Sequence, residues 1–348
     1  MSIQDLIFAA AGGRGLVPAV AFGHANAPLV SAYPLLTDAF GTKFANPTTP
    51  ISGIVRGAAF SPDGEFLALG TAATPFVFVY RWTNTGLGEK LADPSTALPV
   101  GTTQAWGVAF SPDGRYLAVT SDATPFLRVY NWTSAGFGSS VTVPAALPGA
   151  AANVTFSADG AFLAIGHAVS PFVTVYNWSS SGFGAKVTNP TALPAKSVVG
   201  LAFSPDGAYL ALGINGTPYI NVYNWSGSGF GSKIASTPST PPTGLGYGVA
   251  FSPDSAFIAM VHQNTPNLNV YAWSSAGFGT KQVPSAGVSG TGIGVAFNRS
   301  GTRLAVAHST SPYATVYQWS AGFGSKLTAP ITTPTGTGWC AAFPPYDV

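Results

Sequence analysis

The chain has 348 residues, 46% of them hydrophobic and only 7% charged, with 42 glycines and 29 prolines. That hydrophobicity excludes intrinsic disorder, the glycines lack the every-third spacing of collagen, and no stretch runs for the ~20 apolar residues of a membrane-spanning helix, so membrane insertion is not expected. Fourteen basic and twelve acidic residues leave a charge of +2; this excludes the clustered positive charge of a nucleic-acid binder, and charge so sparse does little to oppose self-association, which points to life in a larger assembly.

In chain order, residues 1–16 stand outside any repeat and read as an N-terminal extension, a candidate tether to a neighbouring subunit. Their short apolar stretch follows Asp5 rather than Lys or Arg, so synthesis in a cytosol without a secretory leader is expected. From residue 17 to 348 one motif recurs, seen clearly from Gly107 onward as GVAFSPDGRYLAVTSDATPFLRVYNWTSAGFG. Its phenylalanine returns as Phe60, Phe110, Phe156, Phe203, Phe251, Phe297 and Phe343, and its tryptophan as Trp82, Trp132, Trp178, Trp225, Trp273 and Trp319. Each unit holds four strand-like runs: Trp106 to Phe110, closed by a Ser-Pro-Asp-Gly turn; Tyr116 to Thr120; Phe126 to Trp132, closed by a turn at Gly136-Phe137-Gly138; and Ser139 to Val143 before a Pro-rich link.

Four strands per ~45 residues is the arithmetic of a propeller blade. The run Ala21 to Pro28 aligns with Ala164 to Pro171, so the chain starts with the second strand of a blade, and Trp339 to Phe343 supplies a lone first strand at the end. The expected fold is all-β: a single seven-bladed β-propeller over 17–348, built of four-stranded antiparallel blades. One blade is divided between 17–48 and 337–348, and the N-terminal strands pair with the C-terminal strand to close the ring. The repeated aromatics are then structural, and the small residues Gly57, Gly107, Gly200, Gly248 and Gly294 fit crowding at the hub. The single cysteine, Cys340, stands at that hub position and reads as a buried, inert thiol.

The AFSPDG turn, the LAV run and the VYNW run resemble WD40-like β-propellers across about residues 17–348. Trp132 is followed by Thr133 rather than Asp, and no repeated Gly-His pair precedes a first strand, so the hydrogen-bond network of that family is not carried over. The near-identical VYNWSSSGFG repeats also resemble proteins encoded by tailed bacteriophages, and that resemblance implies a virion part.

Four histidines, His24, His167, His262 and His308, stand four residues before a repeat proline; Thr71, Ser121 and Ile214 occupy the place in the other blades. These seven positions are the candidate contact-face loops. They do not form a metal site, because ligands must meet within a few ångströms of one ion and these are spread one per blade. The turn acids Asp63, Asp113, Asp159, Asp206 and Asp254 are also one per blade, too far apart to share a proton, and read as turn formers. Lys43, Lys90, Lys186, Lys233, Lys281 and Lys326 are expected to ring the same face as these acids. No phosphate-binding glycine motif occurs and no cofactor is called for. The expectation is therefore a non-enzymatic binding or structural module, a virion component made in the host cytoplasm that contacts other virion proteins or a host-surface receptor. The alternative is a lectin-like adhesin holding glycans in repeated blade pockets, with Tyr219 and Asn267 as available groups.

Overall fold

A computed structural model describes residues 17–144, 147–235, 238 and 240–346; the N-terminal extension expected over 1–16 lies outside the described residues. The described chain is all-β, a ring of seven blades. Six blades are four-stranded antiparallel sheets in simple sequential order, and the seventh is made from both ends of the chain. There, Gly338–Ala342 pairs with Ala19–His24, which pairs in turn with Val30–Pro34. The outer edge of this seventh blade is reduced to isolated bridges, Leu35 with Phe40 and Ala39 with Thr328, in place of a regular fourth strand.

Ser-x-Asp turns close the first hairpins of five blades through one repeated network. In blade 2 the Ser111 hydroxyl donates to Asp113 Oδ1, the same oxygen accepts the Arg115 N–H at 3.1 Å, and Gly114 takes φ +69°. The acid is consumed by its own turn, as expected for Asp in this position. Gly136-Phe137-Gly138 differs from the sequence reading: it is the start of the fourth strand, Gly136–Val141, with Gly136 opposite Thr133 and Phe137 opposite Trp132. The reversal occurs at Ser134-Ala135, and Gly136 supports it with φ +108°.

The core lies between blades, in seven apolar layers. A third-strand Trp anchors six of them: Trp132 meets Phe110 of its own blade at 5.2 Å and Phe66 of the preceding blade at 5.3 Å, both edge-on. Trp178, Trp225, Trp273 and Trp319 repeat this pairing with Tyr116, Phe162, Tyr209 and Phe257. Edge-on aromatic pairs add to area burial, so each Trp fastens one blade to the next. A second fastening comes from the third-strand tyrosines. The hydroxyls of Tyr33, Tyr80, Tyr130, Tyr223, Tyr271 and Tyr317 donate to backbone carbonyls of Thr332, Thr49, Thr96, Ala192, Thr240 and Ala286, each in the link that leads into that tyrosine's own blade.

Candidate functional site at the central channel

First strands of neighbouring blades approach closely at the hub. A Cβ on Gly57 would lie 2.3 Å from the Trp106 carbonyl oxygen, and one on Gly200 would lie 2.1 Å from that of Tyr247. Glycine permits this spacing in five blades, with Cys340 and Asn153 at the position in the other two, and since strand side chains alternate, the residue before each is turned toward the axis. The seven residues at that register are Arg56, Trp106, Ala152, Val199, Tyr247, Ile293 and Trp339, and all line a central cavity of about 610 Å³. Two residues further along each strand the wall is apolar, with Ala58, Val108, Leu201, Val249, Val295 and Ala341. Asn153 and Asn215 add amides to the wall.

Arg56 is the one charged side chain of this lining among the described residues. Its guanidinium carbon lies 4.6 Å from the ring centroid of Trp106 and 3.8 Å from that of Trp339, so the flanking blades hold it by cation–π contact. Its Nε and Nη1 are buried without a hydrogen-bond partner, as are Trp339 Nε1 and Asn215 Oδ1. Burial lowers the Arg56 pKa, yet a guanidinium stays charged in proteins. The half-buried guanidinium has no counter-ion in the described lining, so it would attract an incoming anion or a developing oxyanion. Cys340 also lines the cavity, but burial pushes its thiol pKa up to about 12, leaving it neutral. The described lining contains neither a carboxylate nor an imidazole, and among the described residues no group of three or more His, Cys, Asp or Glu is placed to hold a metal ion.

The residues singled out as contact-face loops sit elsewhere. His24, Thr71, Ser121, His167, Ile214, His262 and His308 end the second strands and are all fully buried, so none presents a contact surface. His24, His167 and His308 bond through Nε2 to the hydroxyl seven residues later, Ser31, Thr174 and Thr315, each at 3.0 Å. Burial, reinforced by a lysine of the same blade (Lys43, Lys186 and Lys326), lowers their pKa values to about 4, and burial with Lys281 lowers that of His262 too. This electrostatic reach corrects the lysine placement. Strand four runs from the strand-three turn back toward the link, and Lys186, opposite Tyr176 and so level with Leu163, stands partway back along the blade, where its charge is felt at His167. The proposed glycan groups fare similarly: Asn267 is buried and donates to Gln263 O, while Tyr219 packs against an interblade core layer.

The sequence reading missed the hub ring. Its signal was present, since a register that reads Arg, Trp, Ala, Val, Tyr, Ile, Trp against a nearly invariant background is where the blades have been individualised.

A WD domain, G-beta repeat pattern matches residues 97–127. No curated protein matches the sequence. Among solved structures, the chain is similar to the periplasmic gluconolactonase of Pseudomonas aeruginosa, with 18% identity and a TM-score of 0.71, covering 94% of this chain and 98% of that one. It is also similar to a candidate 6-phosphogluconolactonase from Bacteroides uniformis, with 15% identity and a TM-score of 0.70 over 94% and 99% of the two chains. The Swd1 propeller domain of Myceliophteria thermophila follows at 13% identity and a TM-score of 0.59, over 86% and 93%. At these identities the likeness is one of fold.

The first two comparisons overturn the expectation of a non-enzymatic virion part and its adhesin alternative, because the architecture matched nearly end to end is one used by lactonase-type enzymes. The turn acids and the histidines are held one per blade around the ring, whereas the register of Arg56, Trp106 and Trp339 converges on the axis. The chain is a seven-bladed β-propeller with WD40-like repeats.

Proposed function

We propose that the protein is a lactonase-type hydrolase that opens the lactone of a small polyhydroxylated acid in the central channel. The observation that carries this reading is Arg56, a half-buried guanidinium whose Nε and Nη1 lack partners, set against Trp106 and Trp339 in a cavity of about 610 Å³. The fold shared with the gluconolactonase and the candidate 6-phosphogluconolactonase supports it.

A lactone is an activated ester, so the chemistry asks mainly for charge stabilisation. Arg56 donates to the carbonyl oxygen as water adds to the carbonyl carbon, and the negative charge that develops there meets a cation already in place. The ring C–O bond then breaks, its oxygen takes up a proton to become a hydroxyl, and the new carboxylic acid loses a proton to solvent. Trp106 and Trp339 keep the guanidinium in place, so it needs no reorganisation during the reaction.

The test is hydrolysis of glucono-δ-lactone followed with a pH indicator against the spontaneous rate. The wild-type chain should exceed the buffer rate, and Arg56→Gln should lower kcat/KM by about 100-fold, the loss typical of removing one oxyanion donor. A wild-type rate equal to buffer, or an unaffected Arg56→Gln variant, overturns the reading.

A further inference from the structure

We infer that the channel selects by charge: it accepts an unphosphorylated sugar lactone and retains the singly charged carboxylate formed from it, while rejecting phosphorylated counterparts. The nature of the sugar acid rests on the reading above; the selection by charge rests on the cavity alone.

Among the described residues the cavity wall carries one positive charge, at Arg56, and no lysine or histidine beside it. That guanidinium contacts the indole rings of both Trp106 and Trp339, while its Nε and Nη1 still lack partners. A carboxylate brings one negative charge and accepts charge-assisted hydrogen bonds, which suits a single planar cation. A phosphate monoester brings about −1.5 to −2 near neutral pH. Its surplus charge would find no second cation in the described lining, where Val108 and Val249 make part of the wall apolar, and would go unpaired there. The remaining orphan groups suit hydroxyls: Trp339 Nε1 is a free donor and Asn215 Oδ1 a free acceptor. The cavity volume is within the range that encloses a small ligand. Since the carboxylate answers Arg56 better than the neutral lactone does, the product competes with the substrate.

Calorimetric titration of the full chain with gluconate and with 6-phosphogluconate tests this without relying on turnover. Gluconate should bind at least about tenfold more tightly than 6-phosphogluconate. Arg56→Gln should abolish gluconate binding, and Arg56→Lys, which keeps the charge but not the stacked plane, should weaken it. Equal or tighter binding of 6-phosphogluconate, or no binding of gluconate to the wild-type chain, overturns the inference; both are read on unmutated protein and do not depend on a variant folding. Gluconate binding with this selectivity but no lactone hydrolysis upholds the inference while the catalytic reading fails. Hydrolysis with no preference between the two acids does the reverse.

Discussion

Gly23 faces Cys340 across the seam that joins the two ends of the chain, so tightly that a Cβ on Gly23 would lie 2.6 Å from the Cys340 sulfur and 2.3 Å from Val55 Cγ1. The contact brings the split blade against the hub of blade 1, and it leaves no room for a larger residue. Gly23→Val should therefore destabilise the ring by about 1 to 3 kcal/mol through overpacking. Deleting residues 337–348 removes the whole first strand of that blade and should abolish the cooperative melt. Calorimetric melting of both variants checks this; a deletion that melts like the intact chain would show that closure contributes nothing.

Acid should weaken the fold through the histidines. In the unfolded chain an imidazole protonates near 6.5, whereas His24, His167 and His308 in the folded chain protonate only near 4. Between those values the unfolded state binds more protons, so stability present above about pH 6.5 is lost as pH falls and the loss levels off near pH 4. At pH 5 the loss should be about 1 to 2 kcal/mol for each of the three. His167→Thr, which places in blade 3 the residue that blade 1 has at Thr71, should flatten the slope. Chemical unfolding at pH 7.5 and pH 5 measures it, and equal slopes for variant and wild type would refute the linkage.

Blade 4 carries a defect that the other blades expose by comparison. Ile214 stands where four blades have histidine, and Asn221, seven residues later, is buried with neither amide atom hydrogen-bonded. An orphaned buried amide costs roughly 1 to 3 kcal/mol. Asn221→Val should raise stability by about 1 kcal/mol, as should Ile214→His by supplying the missing partner; the double variant should gain less than the sum, because each change repairs the same fault. Denaturant midpoints for the three variants decide this, with a destabilised Asn221→Val as the contrary result.

The third-strand tyrosines offer a gentler perturbation. Tyr223→Phe removes one hydroxyl that donates to Ala192 O at 2.6 Å and leaves the ring packing in place. The expected cost is about 1 kcal/mol, with faster amide exchange confined to the link before blade 4. Protection spreading unchanged through that link would show that the hydroxyl does not anchor it.

The repeat made the architecture legible, because Phe110, Trp132 and their counterparts mark the same packing site in every blade and the chain ends complement one another. What the repeat could not convey was direction within a blade. Lys186 follows the Gly-Phe-Gly segment closely in sequence, yet the fourth strand carries it partway back along the blade, where its charge reaches His167. His167 precedes a loop and so reads as a loop residue, although its ring fills the space beneath that loop and reaches Thr174. Arg56 was overlooked for the opposite reason: it occurs once, and a search for repetition passes over singular residues at a shared register.

The tyrosine latch also bears on how such a ring can diversify. In blades 1, 4, 5 and 6 the latched carbonyl lies 31 residues before its tyrosine, but in blade 2 the interval is 34. The additional residues are accommodated between the anchor and the first strand, where Val100 stands wholly in solvent. Chain can thus be inserted downstream of each pinned carbonyl while the blade behind it stays as it is, making the links natural grafting points for new rims around an unchanged bore.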